Sequence, residues 1–181
     1  MRDYPVGTFL FWDLPAEKAN DYTFYEFLKY YHQRDSKNAL VKYDFPGEVR
    51  GVLDGQQRIS SIYIALQGVF CSKLKHARRT ADDAYPERKF YLNLVSKKNT
   101  DYEFKFLTDV DAAVRTEHQY YYLVRNILKE IKDADPYDIL DALIANEPEF
   151  NGFSEDKKKH ARKRLTLLVK KLNEEELINY F

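Results

Sequence analysis

Five consecutive residues, Asp54-Gly55-Gln56-Gln57-Arg58, combine a carboxylate, a permissive backbone position, two amides and a guanidinium. They follow residues 49–53, which have a high propensity for β-strands, and precede apolar residues with helical spacing. This order places them at a strand-to-helix junction. The first backbone N–H groups of a helix have no intrahelical partner and lie at the positive end of the helix dipole. Together with the guanidinium they would bind an anion, and phosphate suits them best.

The carboxylate of Asp54 is unexpected beside a phosphate, because like charges repel. Its presence is explained if Asp54 holds a divalent cation or orients a water molecule. The residues alone also allow a simpler interpretation, in which Asp-Gly is an ordinary turn and Asp54 caps the helix. The run is not a P-loop, since the chain contains no Gly-x-x-x-x-Gly-Lys-Ser/Thr pattern.

The elements around the motif are predicted from period-2 and period-3.6 apolar spacing. The predicted strands are 8–12, 40–45, 49–53, 89–94 and 103–107. The predicted helices are 22–33, 56–67, 117–133, 136–146 and 154–173, and residues 72–88 are predicted to form an exposed loop. This pattern indicates an α+β fold followed by a helical C-terminal part, with the two parts predicted as 1–110 and 111–181.

The amino-acid composition limits the classes of function that this protein can have. Lys plus Arg and Asp plus Glu number 29 each, so the net charge gives no attraction to nucleic acid over the whole surface. The single cysteine, Cys71, cannot form an internal disulfide and fits a reducing cytosol. No apolar run approaches the roughly 20 residues that span a bilayer. The N-terminus also lacks a signal-peptide pattern, so we expect a cytoplasmic protein that does not contact a membrane.

The motif and its surroundings resemble a known family. Residues 52–61, Val-Leu-Asp-Gly-Gln-Gln-Arg-Ile-Ser-Ser, are similar to the signature of the N-terminal domain of the GmrSD-type restriction family. Residues 4–12, 89–94 and 104–107 resemble strands of that domain, so the resemblance covers about the first 110 residues. It implies a ParB/sulfiredoxin-like fold, a small mixed sheet with helices. In that fold a Gly-x-x-Arg turn at a helix start handles nucleotide phosphates.

The resemblance also implies binding and hydrolysis of a nucleoside triphosphate with Mg²⁺. This activity would control DNA cleavage by a nuclease domain or partner. By the same resemblance, Asp54 would serve the metal or a water, Gly55 the turn, and Arg58 the phosphate charge. The predicted catalytic residues are Asp54 and Gln57, with Asp54 also the metal ligand. The predicted nucleotide-binding residues are Gly55, Gln56, Gln57, Arg58 and Ser60.

Two departures from the family pattern leave alternatives open. Family members carry a further Gln-Arg motif before the first strand, so we expect this chain to lack an N-terminal segment. The four histidines are scattered and show no nuclease metal pattern, so we expect no nuclease activity. The basic run 157–164 favours one alternative, a ParB-type DNA-binding module without hydrolysis. The shortened N-terminus favours the other, an inactive truncated fragment.

Overall fold

The computed structural model describes residues 7–35, 37–41, 47–97, 102–130, 136–173 and 179–180. Its strands are β1 (Thr8–Leu14), β2 (Tyr30–His32), β3 (Val49–Asp54), β4 (Val69–Cys71), β5 (Glu87–Asn93), β6 (Phe104–Leu107), β7 (Tyr121–Leu123) and β8 (Asn179–Tyr180). Its helices are α1 (Ala16–Ala19), α2 (Gln56–Leu66), α3 (Asp109–Ala113), α4 (Val124–Glu130), α5 (Pro136–Asn146), α6 (Pro148–Asn151) and α7 (Glu155–Asn173). The α+β class predicted from the sequence is therefore confirmed.

The strands form two sheets that α2 connects. In the first sheet, β1 pairs antiparallel with β3 and parallel with β8. In the second, β5 pairs antiparallel with β4, β6 and β7, and β2 extends the sheet by pairing parallel with β4. Because α2 starts where β3 ends and leads into β4, the strand-to-helix junction lies at the crossing between the two sheets.

The largest core cluster joins the end of β5 to the C-terminal helices. Leu92 and Leu94 are fully buried and belong to the same cluster as Ile127, Leu140 and Leu165. Burial of apolar surface stabilises a folded protein by about 25 cal/mol for each Å² removed from water. This burial is therefore the main contribution to the stability of the core. The helices therefore pack against the strands, across the position near residue 110 where the sequence predicts a boundary.

The predicted helix over residues 22–33 is wrong. Tyr25 forms an isolated bridge with Leu40, and residues 30–32 form β2. The ring of Tyr31 stacks on that of Phe70 in β4, with centroids 5.2 Å apart. The apolar spacing fits a helix, but aromatic residues also suit strands, and pairing with β4 supplies both backbone hydrogen bonds and ring contacts.

The predicted helix over residues 117–133 is also wrong in its first part. Residues 121–123 form β7 against β5, and α4 begins only at Val124. Tyr120 and Tyr121 are nearly fully buried, so their rings belong to the core. The predicted loop 72–88 is confirmed in most of its length, but Ala84 and Tyr85 are buried at a 3₁₀ turn.

The remaining elements agree with the sequence prediction to within a few residues. Strands are confirmed at 8–12, 49–53, 89–94 and 103–107, and helices at 56–67, 136–146 and 154–173. Most of the predicted strand 40–45 lies outside the described residues. Among the helices of the described ranges, none has the length and apolar character needed to cross a membrane.

Candidate functional site

The candidate site lies where β3 leaves its pairing with β1. Leu10 lies opposite Asp54 and Phe11 lies opposite Val52, so the register shifts by one residue and Leu53 occupies the extra position. Such irregularities bend a strand and re-aim the residues beside them. Asp54 is the last residue of the strand, and its side chain is 72% exposed.

Gly55 makes the turn between β3 and α2. Its φ of 86° and ψ of 8° place it in the left-handed region, which residues with a Cβ adopt at a cost. A Cβ at this position would lie 2.5 Å from Cδ1 of Phe9 and 3.2 Å from Nη2 of Arg58. Both the backbone conformation and the space therefore require glycine. Gly55, not Asp54, is the N-cap residue of α2, and it makes no side-chain cap hydrogen bond.

The start of α2 carries backbone amides without intrahelical partners. The N–H of Ile59 donates to the carbonyl of Gly55 at 3.0 Å, which is the first α-helical bond. The amides of residues 56–58 precede that bond, so they have no carbonyl within the helix to bind. They lie at the positive end of an eleven-residue helix. This geometry can bind an anion.

The guanidinium of Arg58 lies at the same junction, against the start of β1. Its Nη2 donates to the Thr8 carbonyl at 2.6 Å and to Oδ2 of Asp54 at 3.2 Å. Its Cζ lies 5.1 Å from the ring centroid of Phe9. A Cβ on Gly7 would lie 2.0 Å from Nη1, so the guanidinium occupies the space that a side chain there would need. The Arg58 side chain is 38% exposed.

Only some of the remaining predicted site residues lie at the β3–α2 junction. Nε2 of Gln56 donates to the Val52 carbonyl at 2.6 Å, so this amide turns back onto β3. Gln57 is exposed on the first turn of α2, and its carbonyl accepts a bond from the Ser61 hydroxyl at 2.8 Å. Ser60 is half-buried, farther along the helix. The motif residues that meet at the junction are therefore Asp54, Gly55 and Arg58, with Gln57 beside them.

Sequence reasoning missed the platform beneath Arg58. Gly7, Thr8 and Phe9 position the guanidinium through backbone approach, a carbonyl bond and a ring face. Arg58 and Thr8 are 50 residues apart in the chain, and no local pattern links them. The glycine before the first predicted strand was the available signal, because a glycine before a strand often marks a close approach of another group.

The basic run on α7 is largely engaged in contacts within the chain. Lys157 pairs with Glu117 at 3.1 Å, Lys158 with Glu155 at 3.0 Å, and Arg162 with Asp141 at 3.3 Å. Arg164 is 4% exposed and donates to two backbone carbonyls. Three of the basic side chains are thus paired with carboxylates at the surface, and Arg164 is buried.

Comparison with models of protein families gives a match over residues 1–181 to the GmrSD restriction endonuclease, N-terminal domain. The match extends through the C-terminal helices, beyond the first 110 residues that carry the resemblance in the sequence. A search of curated proteins finds no match.

Proposed function

Because this chain belongs to the family of the GmrSD restriction endonuclease N-terminal domain, which makes it part of a restriction system, we propose that it is the nucleotide-binding regulatory domain of that system. The ligand is a nucleoside triphosphate with Mg²⁺, bound at the β3–α2 junction. Any hydrolysis there is slow and regulatory, and DNA cleavage belongs to a nuclease domain or partner.

One observation carries this proposal: the left-handed turn at Gly55 brings the first amides of α2, which have no intrahelical partner, and the Arg58 guanidinium to one place. A phosphate bound there would accept hydrogen bonds from the amides and a charge-assisted bond from the guanidinium. Phe9 and the Thr8 carbonyl hold the guanidinium in position, which reduces the entropy lost on binding.

The ion pair between Asp54 and Arg58 explains how the Asp54 carboxylate would take part in nucleotide binding. Both side chains are more than a third exposed, and exposed pairs contribute about 1 kcal/mol or less, so the pair can exchange partners readily. A triphosphate would replace Asp54 as the partner of Arg58 and release the carboxylate for Mg²⁺. Magnesium is commonly held by one or two carboxylates plus substrate phosphates and waters, so Asp54 is a suitable single protein ligand.

The chemistry assigned to the protein is limited to positioning. When bound, Mg²⁺ would neutralise phosphate charge. Gln57, exposed on the first turn of α2, would orient an attacking water through its amide. Ser60 lies one turn after Gln56, and its hydroxyl would contact the last phosphate of the triphosphate. Removal of Gln57 should therefore lower turnover more than affinity.

Titration of the full chain with nucleoside triphosphates in the presence of Mg²⁺ tests the proposal. Arg58→Ala should lower affinity by about tenfold or more, because a charge-assisted bond is lost. Arg50→Ala is the matched control, since Arg50 is also an exposed arginine paired with an aspartate, Asp13, but lies on β3 away from the junction. Undetectable binding, or an equal loss in both variants, would refute the proposal.

The same samples separate the two alternatives. A DNA-binding module would shift DNA in a gel, with an affinity that falls steeply as salt rises. An inactive fragment would show neither binding of DNA nor a change in melting temperature with nucleotide. Nucleotide binding that Arg58→Ala removes, without salt-sensitive DNA binding, is the result expected here.

A further inference from the structure

A second cationic region lies in the C-terminal half of the chain, and it shares no residue with the β3–α2 junction. It is a cavity of about 210 Å³ between the N-terminal half of α7, the segment after β5 and the loop before β7. Its ionisable side chains come from all three segments: Lys97, His118, Asp156, Lys157, His160 and Arg164.

Positive charge predominates around this cavity. Lys97, Lys157 and Arg164 are permanent cations at neutral pH, and Asp156 is the one carboxylate among the residues that line the described cavity. Glu117 adds a second carboxylate nearby, where it pairs with Lys157 at 3.1 Å and with Nε2 of His118 at 3.7 Å. Three cations thus face these two carboxylates, and Glu103, which hydrogen-bonds to Ser96 beside the cavity, is itself paired with Lys105 at 3.2 Å.

Two of the three cations are held in place by backbone carbonyls. Nη1 of Arg164 donates to the Leu94 carbonyl at 2.7 Å, and Nη2 donates to the Ser96 carbonyl at 3.1 Å. Nζ of Lys157 donates to the carbonyl of Glu117 at 2.8 Å. The cavity therefore has a buried guanidinium and a positioned ammonium before any ligand arrives, and such preorganisation favours binding.

The spacing along α7 explains why these groups converge. Asp156, His160 and Arg164 are separated by four residues each, so they lie on one face of the helix. The neighbouring groove between α5 and α7 is lined instead by Lys158, Lys159, Arg162 and Lys163, among others. The two faces of the same helix thus offer a site and a matched control surface.

We propose that the cavity binds a small oxyanion of the phosphate class. Pockets for drug-sized ligands have volumes of about 300–1,000 Å³, so this cavity is too small for a whole nucleotide but accommodates a tetrahedral anion and water. A bound anion would contact α7 and the segments after β5 and before β7 at the same time. It would therefore stabilise the contact between the helices and the sheet.

Titration of inorganic phosphate into the full chain, at constant ionic strength, tests this proposal by NMR of the histidine side chains. The signals of His118 and His160 should shift and saturate, while those of His32 and His76, which do not line the cavity, should stay in place. Sulfate should compete with phosphate, and chloride at equal ionic strength should not. Equal shifts of all four histidines, or shifts that do not saturate, would overturn the proposal.

Variants sharpen the test. Lys97→Gln should weaken phosphate binding by about tenfold, because a charge-assisted contact is lost at an exposed residue whose removal leaves the core intact. Lys159→Gln removes the same charge from the α5–α7 groove and should leave the affinity unchanged. Equal weakening by both variants would overturn the proposal, since it would indicate general attraction only. Arg50→Ala, which removes an exposed arginine outside both sites, should leave the phosphate-induced shifts of His118 and His160 unchanged.

Discussion

At the candidate site, the position of one arginine depends on residues that have no side chain. Gly7 and Gly55 both have positive φ, 112° and 86°, and a Cβ on either would approach the Arg58 guanidinium. Phe9, only 2% exposed, lies between them and supports the guanidinium from one face. The guanidinium therefore contacts a backbone carbonyl, a ring and the carboxylate of Asp54, and the Arg58 side chain is 38% exposed.

Substitution of Gly55 by alanine should destabilise the protein by about 1–3 kcal/mol, because the new Cβ meets Phe9 and the left-handed conformation becomes strained. It should also displace Arg58 and weaken nucleotide binding. Urea unfolding at equilibrium measures the first effect. Gly47→Ala is the control, since a Cβ there meets nothing within 4 Å, and its stability should change by about 0.5 kcal/mol or less. Equal stability of the two variants would contradict this account.

The side chain of Asn93 connects three segments from inside the protein. Its Nδ2 donates to Glu103 at 3.1 Å and to the His118 carbonyl at 2.8 Å. Its Oδ1 accepts from the amides of Val95 at 3.2 Å and Tyr120 at 3.1 Å. Because Asn93 is 1% exposed, water cannot easily replace these partners.

Substitution of Asn93 by alanine should lower the free energy of unfolding by about 2–4 kcal/mol, since buried amides and a carbonyl lose their partner. Chemical denaturation provides the measurement. The matched control is Asn126→Ala, an exposed amide on α4 whose loss should change stability by about 0.5 kcal/mol or less. A loss below 1 kcal/mol for the Asn93 variant would show that the network is not needed for stability.

At the scale of elements, α3 is fastened to β5 through Asp109. Lys89 donates to one carboxylate oxygen at 2.6 Å, and the Tyr91 hydroxyl donates to the other at 2.6 Å. These hydrogen bonds, that of Lys89 first, lower the pKa of Asp109 below its usual value of 3.8. Thr108 adds an N-cap, because its side chain accepts from the Asp111 amide at 3.1 Å.

The lowered pKa of Asp109 predicts a pH dependence of stability. A carboxylate whose pKa is lower in the folded state stabilises the fold above its unfolded-state pKa, and this contribution is lost as the pH falls through the folded-state pKa. Asp109→Asn should therefore be less stable than the parent protein at neutral pH, and the difference should shrink below about pH 4. The effect should be modest, because the carboxylate is 66% exposed.

Urea unfolding midpoints at neutral and acidic pH measure this difference. Asn126→Ala removes an exposed amide on α4 that does not titrate and serves as the control, with the same difference from the parent at both pH values. A constant difference for Asp109→Asn across the pH range would show that the Lys89 and Tyr91 bonds do not couple its ionisation to folding.

At the scale of the whole molecule, the sheet around β5 and the C-terminal helices share one core. Phe150 of α6 is fully buried, and its ring meets those of Tyr120 at 5.0 Å and Phe153 at 5.7 Å in edge-to-face geometry. Leu92 and Leu94 pack in the same cluster. The helices therefore cover apolar surface that the strands alone would expose to water.

This shared core predicts how fragments behave. A fragment of residues 1–110 should not unfold cooperatively, because it lacks β7 and the helices that bury Leu92 and Leu94. The full chain should unfold in a single transition. Thermal unfolding followed by circular dichroism, with amide NMR spectra of both samples, makes the comparison. A folded 1–110 fragment with its own sharp transition would favour the division into a mixed part and a helical extension.

Local patterns by themselves determined the α+β class and the location of the strand-to-helix junction. β-rich residues before Asp54, a glycine at the turn and apolar residues at helical spacing after it act within a few positions of one another. For the same reason the long helix at 154–173 was predictable from its periodicity. The helix predicted for 22–33 failed because its apolar spacing suited a helix while its pairing partner, β4, lay about 40 residues away.

Only the tertiary structure decided what surrounds the functional groups. The partner of Arg58 on β1 is 50 residues away, and the Leu94 carbonyl that holds Arg164 is 70 residues away. Residue spacing along the chain specifies which face of an element a side chain occupies, but not which distant element will meet that face. The glycine turn between β3 and α2 was therefore visible in the sequence, whereas the platform beneath Arg58 and the cationic cavity on α7 arise from long-range packing.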